Sequence, residues 1–215
     1  MNRYDVRVYS ADIELREADG DSPAELRGLA IPYGVQSRLL GDMWGPGFYE
    51  IIERGAAKDA LDGPPDDDVQ AFRNHDYDAI LARTGAGSLT LKETRDGVTF
   101  RMELRADTQV ARDTIADVRA GNLSQMSFGF NVPTEGASWS MADEERELRT
   151  VKLIDPLYEI SVVTSAAYGD ATDVAERSAK RVWTERSARK ASDYSYARAR
   201  ARAQRFRFHT GERYA

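Results

Sequence analysis

The stretch "GVTFRMELRADTQVARDTIADVRAGNLSQMSFGF", residues 97–130, contains a strand, a helix and a second strand in direct succession. Its first residues alternate apolar and polar side chains and follow directly on Asp96, and the dipeptide Asp-Gly is typical of a β-hairpin turn. The middle of the stretch has its apolar residues at helical spacing and stops at Gly121. We therefore predict a fold of the α+β class. The apolar residues of that helical face are Ala111, Ile115 and Val118.

The second strand carries a hydroxyl at Ser127. Strand side chains alternate with a period of two, so Ser127 and Gly129 share the polar face of this strand. A serine in such a place usually hydrogen-bonds a neighbouring backbone group. The missing side chain of Gly129, however, leaves room for another backbone or for a substrate. Ser127 is thus either a packing residue or a nucleophile. The apolar face holds Met126, Phe128, Phe130 and Val132.

Alternating runs on both sides of this stretch predict further strands. Residues 53–63 are a short helix candidate closed by glycine, and residues 133–148 are polar and acidic, which indicates a flexible surface loop between strands. The pattern as a whole predicts a mainly β protein with a few helices. The runs with strand character are residues 4–15, 25–35, 69–75 and 149–169.

Charge divides the chain into two parts. Residues 176–215 hold 12 Lys and Arg against 4 Asp and Glu, a net charge of +8, whereas residues 1–175 hold 18 against 32, a net charge of −14. An acidic body argues against nucleic-acid binding by residues 1–175, because phosphate contact needs a clustered positive surface. The Ala- and Arg-rich segment 176–215 has no apolar face of its own, so we expect a flexible tail, or one that folds only against a partner.

The absence of cysteine excludes a disulfide framework, a thiolate nucleophile and a sulfur-based zinc site. The first residues lack the apolar stretch of a signal peptide, and no segment approaches the roughly 20 apolar residues of a membrane span. We expect a soluble protein that is not secreted through a cleavable signal.

The chain has 2 histidines, and His209 lies in the predicted tail. An imidazole base in the body must therefore be His75, in the polar loop "FRNHDYD" that follows an apolar strand. The plain alternative is a surface histidine hydrogen-bonded to Asp76 or Asp78. A metal site built from these three residues is a weak alternative, because their spacing matches no known ligand pattern. We expect neither a metal nor another cofactor.

Two carboxylates, Asp155 and Glu159, lie on one face of the apolar strand in residues 149–169. A buried carboxylate costs several kcal/mol unless it is paired, so we expect a partner such as a histidine or an arginine. The partner is either His75 or, in a purely structural ion pair, Arg73 or Arg149.

Several segments, taken in order, resemble the prohead serine proteases of tailed bacteriophages. The resemblance spans roughly residues 27–171 and lies in the order and spacing of the segments rather than in any one of them. It implies a fold similar to that of the herpesvirus assembly proteases, a mostly antiparallel β-barrel flanked by helices. It also implies serine endopeptidase activity inside an assembling capsid. The segments are "LRGLAIPYGV", "FYEIIERGAAKDAL", "AFRNHDYDAILAR", "GVTFRMELRADTQVARDTIADVRAGNLSQMSFGF" and "LYEISVVTSAAYGDA".

The resemblance assigns roles to three positions. The serine of "SQMSFGF", Ser127, corresponds to the nucleophile, and the histidine of the "NHD" segment, His75, corresponds to the base. The third member lies in "IDPLYEIS", where we favour Glu159 inside the strand over Asp155, which precedes a proline. The backbone around Phe128 and Gly129 is the expected place for a substrate strand.

The resemblance also implies substrates and a domain division. We expect a protease domain over residues 1–175 and a tail over residues 176–215 that the protease itself removes, since an unpacked segment can be threaded through an active site. The expected substrates are the major capsid protein and scaffold segments, inside the prohead in the host cytoplasm. A homodimer is expected by analogy with the related viral proteases. The rival role for the tail is nucleic-acid contact with a steep salt dependence.

Two other functions stay open at this level. The chain would be a non-enzymatic assembly or scaffold protein if Ser127 and His75 only pack. It would be a metal-dependent hydrolase if a chelator abolished its activity.

Overall fold

A computed structural model describes residues 4–10, 12–20, 22–41, 46–63, 68–164 and 178–193. Within these ranges the chain is mainly β with few helices, which confirms the predicted α+β class. The strands are β1 Asp5–Ser10, β2 Glu14–Arg16, β3 Ala24–Pro32, β4 Phe48–Ile52, β5 Gln70–Arg73, β6 Asp76–Arg83, β7 Leu89–Glu93, β8 Gly97–Leu104, β9 Leu123–Phe130, β10 Ala137–Met141, β11 Glu147–Val151 and β12 Leu157–Thr164. The helices are α1 Lys58–Leu61, α2 Gln109–Ala120 and α3, residues 178–193, with a 3-10 turn at Thr84–Ala86.

The described strands form three sheets. Their orders are β1-β9-β12-β5-β6, β2-β3-β8-β7 and β10-β11-β4. Most pairs are antiparallel, but β12 runs parallel to β5 and β11 runs parallel to β4. Each of the three is an open sheet with two edge strands, so the closed antiparallel barrel expected from the resemblance is not found. The five-stranded sheet does not close because its two edge strands, β1 and β6, do not pair with each other.

The core lies between the five-stranded and four-stranded sheets. Strand β9 turns its alternate side chains Met126, Phe128 and Phe130 into this core, and each is at most 2% exposed. Strand β8 contributes its own alternate residues from the facing sheet. Apolar burial of this kind is the main stabilising contribution and leaves the other face of β9 free for polar residues. The residues of β8 in the core are Val98, Phe100, Met102 and Leu104.

Helix α2 ends at the predicted glycine. The Thr108 hydroxyl accepts a hydrogen bond from the Ala111 backbone N–H at 3.3 Å, and Gly121 ends the helix with a φ of 78°, in the left-handed region that favours glycine. Ala111 and Ile115 are buried against the core. The chain leaves Gly121 and enters β9 two residues later, so the helix sets the position at which the serine-bearing strand starts.

Two local predictions are wrong. Residues 133–148 are not one loop, because β10 and β11 pair as a hairpin within and just beyond them. The polar composition that suggested a loop reflects the exposure of β10, whose residues are all half-buried or exposed. The β-like region 149–169 is also two elements, since β11 ends at Val151 and β12 begins at Leu157 in another sheet.

The expectation of an unpacked tail from residue 176 is wrong for residues 178–193. They form α3, which packs Ala179 and Val182 against Leu40 and Phe48. The Trp183 ring stacks on Phe48 with centroids 6.3 Å apart. The body supplies the apolar surface that the segment cannot supply for itself, so the helix is stable there. The rest of the predicted tail, residues 194–215, lies outside the described residues. None of the helices in the described ranges has the length and apolar character of a membrane span.

Candidate active site

The pairing of β9 with β12 brings the polar residues of both strands together. In this antiparallel ladder Ser127 lies directly opposite Ser161, and Gly129 lies directly opposite Glu159. Directly opposite residues share a sheet face, with Cβ atoms about 4.5–5.5 Å apart. The polar face predicted for β9 is therefore continued on β12 by a hydroxyl and a carboxylate. This hydroxyl, that of Ser161, was not among the predicted site residues, although its period-two spacing from Glu159 placed it on the same face.

A tight turn between β5 and β6 carries the histidine to this face. Asn74 and His75 both have positive φ angles, 53° and 59°. Such angles are uncommon outside glycine, although Asn and His tolerate them better than most residues. The turn is fastened to β12, because the Asn74 backbone N–H donates to the Val162 carbonyl at 3.0 Å and the Asn74 side-chain oxygen accepts from the Thr164 N–H at 3.1 Å. The backbone geometry of His75 is thus set by the neighbouring strand.

The His75 ring is paired with Glu159. Its Nδ1 lies 2.8 Å from Glu159 Oε1, and the two side chains are 6% and 2% exposed. Ser161 donates its hydroxyl to Glu159 Oε2 at 2.7 Å and accepts the His75 backbone N–H at 3.3 Å. A carboxylate can only accept, so a neutral ring in this position carries its proton on Nδ1 and has Nε2 free of a proton.

The other ring nitrogen, Nε2, is unpaired among the residues that the structure describes. His75 Nε2 is buried and makes no hydrogen bond with any residue in the described ranges. A buried polar atom without a partner is costly and is typical of functional sites. This atom is the one that a serine base would use.

Ser127 is buried on the same face but is not hydrogen-bonded to the ring. Its side chain is 0% exposed, and its hydroxyl donates to the Arg7 carbonyl on β1 at 2.9 Å. The structure therefore places His75 and Glu159 in direct contact. Ser127 shares their sheet face because it pairs across the strands with Ser161.

Asp155 takes no part in this arrangement. It is exposed, precedes Pro156 between β11 and β12, and donates its backbone N–H to the Asn131 carbonyl at 3.0 Å. Neither arginine considered for Glu159 is its partner: Arg73 pairs with Asp117 at 2.6 Å, and Arg149 pairs with carboxylates elsewhere.

The two positions expected to contact substrate lie on different faces. Phe128 is in the core, with its ring 5.1 Å from that of Phe130, because β9 turns even-numbered residues away from Ser127. Gly129 is on the site's face, but its missing side chain makes room for the protein itself. A Cβ there would meet the Tyr4 ring at 2.5 Å and Glu159 Oε1 at 2.6 Å. The expected space for a substrate is thus filled in this structure.

A buried charge cluster borders the site behind β1. Arg7 binds Glu50 through Nε at 2.6 Å, and Arg149 bridges Glu50 and Asp5 with both distances at 2.8 Å. Arg181 of α3 also reaches Asp5. Burial raises the pKa of Asp5, but the neighbouring guanidinium groups outweigh burial and hold that pKa below its ordinary value. The cluster fixes β1 to β4, β11 and α3. Among the described residues no group of three or more His, Asp or Glu is arranged to hold a metal ion.

Comparisons with known proteins bear on the fold and on the family of the chain. The structure of the bacteriophage T4 capsid assembly protease gp21 superposes with a TM-score of 0.50 at 10% sequence identity, covering 76% of this chain and 99% of that chain. An identity this low shows a shared fold alone. No match is found among curated proteins. A profile of the Caudovirus prohead serine protease family matches residues 11–185, a range that contains Ser127, His75 and Glu159. The chain therefore belongs to the Caudovirus prohead serine protease family and is a serine protease of phage capsid maturation.

Proposed function

We propose that Ser127, His75 and Glu159 form the catalytic triad of this protease. The observation that supports the proposal best is the buried His75–Glu159 hydrogen bond of 2.8 Å, with Nε2 of the same ring free and directed by a turn that β12 holds. A histidine without a carboxylate partner would adopt either tautomer. With Glu159 on Nδ1, the ring presents an unprotonated Nε2, which is the form that can accept a proton from serine.

The chemistry follows from these positions. The Ser127 hydroxyl leaves the Arg7 carbonyl, turns towards His75 and gives its proton to Nε2 while Oγ attacks the scissile carbonyl carbon. His75 then returns the proton to the leaving amine, and water hydrolyses the acyl-enzyme by the reverse sequence. Glu159 stabilises the imidazolium that forms in each half. General base catalysis of this kind contributes about 10²- to 10⁴-fold.

Ser161 acts as a positioning residue in this scheme. Its hydroxyl donates a hydrogen bond to Oε2 of Glu159 and accepts one from the His75 backbone N–H. Both contacts keep the carboxylate and the histidine-bearing turn in one relative position. Such supporting hydrogen bonds limit the loss of alignment that lowers rates when a catalytic group is displaced by as little as 1 Å.

The proposed substrates are extensions of the major capsid protein and scaffold segments inside the prohead, within the host cytoplasm. Confinement with the substrate supplies a high effective concentration, so little binding affinity is needed. Residues beyond α3 are proposed as a further substrate, removed by the enzyme itself. A homodimer is proposed as the active form.

The decisive experiment compares the wild type with the Ser127→Ala variant by intact mass, alone at high concentration and with co-expressed capsid protein. We expect cleavage of capsid protein by the wild type and none by Ser127→Ala. Ser138→Ala, an exposed serine on β10, is the matched control and should cleave normally. Cleavage by Ser127→Ala at the wild-type rate would reject Ser127 as the nucleophile.

A scaffold role has one observation in its favour, the hydrogen bond from Ser127 to the Arg7 carbonyl, which is how a packing serine behaves. The same experiment separates the two functions. A scaffold protein would leave capsid protein uncut in every variant while capsid assembly proceeds unchanged in Ser127→Ala.

A further inference from the structure

A cavity of about 150 Å³ lies between α3 and the three-stranded sheet. It is lined by β10, β11, the turn before β10 and α3, and none of these elements carries a member of the proposed triad. One part of its wall is apolar and another part is cationic. The apolar part includes Val132, Pro133 and Val182, and the cationic part consists of Arg149, Arg186 and Arg189.

Arg186 is held in one orientation at this cavity and keeps unpaired donors. Its guanidinium carbon lies 5.2 Å from the centre of the Trp139 ring, a distance typical of a cation–π contact. Its Nη2 donates to Glu147 Oε1 at 3.2 Å. Its Nε is buried and has no hydrogen-bond partner among the described residues. A guanidinium group carries five N–H donors in a planar fork, so Arg186 can bind a further acceptor.

Arg189 adds a second cation on the same side of α3. It follows Arg186 by three residues, a spacing that makes two side chains neighbours on a helix surface. It is exposed and makes no hydrogen bond or ion pair with the residues that the structure describes. Arg149, by contrast, is already paired with Asp5 and Glu50. Arg186 and Arg189 are therefore the cations available to a ligand.

The charges around the cavity do not cancel. Its wall holds three arginines against one carboxylate, that of Glu185, a net charge of +2. The ion pairs that connect to these groups within the described ranges add three cations and three carboxylates, so the net charge stays at +2. Residues 1–175 together have a net charge of −14, and the cavity is thus a positive place on an acidic body. The added groups are Arg7, Arg181 and Lys190, and Asp5, Glu50 and Glu147.

The size and walls of the cavity favour one kind of ligand. Its volume is below the roughly 300–1,000 Å³ of a typical cofactor or small-molecule site, so it suits a single side chain. A guanidinium fork matches the geometry of a carboxylate. The apolar wall suits the methylene groups of an aspartate or glutamate side chain, whereas a nucleic-acid phosphate has no aliphatic stem to place there.

We propose that this cavity binds an acidic side chain from a peptide segment of a partner protein, with Arg186 and Arg189 as its anchors. The site is on a different sheet from Ser127, His75 and Glu159, and it gives α3 a binding role in addition to its packing. The proposal goes beyond the proposed function and does not depend on which residue is the nucleophile.

The test measures binding of a fluorescein-labelled, end-capped octaglutamate peptide to the full-length protein by fluorescence anisotropy at low salt. An octaglutamine peptide with the same label is the neutral control. The variants are Arg189→Glu and Arg186→Gln. Arg105→Glu is the matched control, because it makes the same change in net charge as Arg189→Glu at an arginine outside the cavity whose side chain is 79% exposed. Thermal unfolding would verify that each variant is folded.

A further full-length variant separates the cavity from the Arg-rich segment that follows α3. It carries Arg198→Gln, Arg200→Gln and Arg202→Gln, and it should keep the affinity of the wild type for octaglutamate. Loss of binding in this variant, with none in Arg189→Glu, would overturn the proposal, because the acidic peptide would then bind to the segment and not to the cavity.

We expect octaglutamate to bind and octaglutamine not to bind. Arg189→Glu and Arg186→Gln should each weaken binding about tenfold or more, the effect of losing one hydrogen bond to a charged group. Arg105→Glu should change it less than about twofold, because an exposed charge outside the cavity is screened. Equal losses in Arg189→Glu and Arg105→Glu would show diffuse attraction only and overturn the site. Duplex DNA that displaced the peptide and bound more tightly through Arg189 would reject the acidic peptide as the ligand.

Discussion

At the scale of single residues, the site depends on a carboxylate that only accepts hydrogen bonds. Glu159 binds the His75 ring at 2.8 Å and receives the Ser161 hydroxyl at 2.7 Å. Glu159→Gln keeps the shape but offers an amide, which favours the wrong histidine tautomer. We expect kcat to fall by about 10²- to 10⁴-fold with little change in KM.

Steady-state cleavage of a capsid-protein peptide would measure this effect, with Asp155→Asn as the matched control. Asp155 is exposed and bound through its backbone, so its variant should keep the wild-type kcat. A large loss in Asp155→Asn and none in Glu159→Gln would exchange the roles that we propose for these carboxylates.

Gly129 is a second residue whose effect follows from contact distances. The Cβ of Gly129→Ala would lie 2.5 Å from the Tyr4 ring and 2.6 Å from Glu159 Oε1, so at least one of them must move. We expect a loss of about 1–3 kcal/mol in the free energy of unfolding, together with lower activity. Urea unfolding would measure the first.

Adding Tyr4→Ala to Gly129→Ala should restore part of the stability, since the ring clash disappears while the contact with Glu159 remains. Strict additivity of the two single changes would contradict a direct contact between these residues.

At the scale of elements, buried ion pairs bind β1 to β4, β11 and α3, in addition to its ladder with β9. The pKa of Asp5 is depressed because Arg7, Arg149 and Arg181 together outweigh the effect of burial. A carboxyl whose pKa is lower in the folded state stabilises the fold above its unfolded pKa, and this contribution is lost as the pH falls through the folded pKa. The stabilisation by Asp5 is therefore complete at neutral pH and disappears in acid.

We expect Asp5→Asn to be less stable than the wild type at pH 7 and to lose less stability on acidification to about pH 2–3. Denaturant midpoints across this range would show the difference, with the exposed Asp59→Asn as control. Parallel curves for the wild type and Asp5→Asn would show that the charge cluster does not stabilise the fold.

At the scale of the whole molecule, α3 belongs with the body rather than with a tail. It buries Ala179 and Val182 against Leu40 and Phe48 and supplies the Ser178 hydroxyl to Val6. A chain that ends at residue 175 loses all of these contacts, whereas one that ends at residue 193 keeps them. We expect the shorter chain to be less stable by at least about 2 kcal/mol, from lost apolar burial and one buried hydrogen bond.

Urea unfolding of the two truncated chains beside the full chain would measure this difference. Equal stability of all three would mean that α3 contributes nothing to the body and that the domain does end at residue 175.

The local sequence pattern predicted some elements of the molecule correctly and others incorrectly. The C-terminal end of α2, the hairpin at Asp96-Gly97 and the alternation of β9 follow from residues close in sequence, and they agree with the structure. The prediction of a loop over residues 133–148 was wrong because β10 is stabilised by pairing with β11 rather than by its own sequence pattern. The prediction of an unpacked tail was wrong for the same reason, since the apolar surface that holds α3 comes from Leu40, Phe48 and Trp139, far away in sequence.

The sequence by itself determined the class of fold and the family, and it predicted a short set of side chains for the chemistry. A chain with 2 histidines and no cysteine leaves few nucleophile and base combinations, and strand alternation put Ser127 with Gly129 and Glu159 with Ser161. Only the tertiary structure decided which carboxylate meets His75, that the Ser127 hydroxyl donates to the Arg7 carbonyl of β1, and that the sheets stay open. The physical reason is that alternation decides which face a residue takes, whereas the identity of the neighbouring strand depends on pairing between residues far apart in sequence.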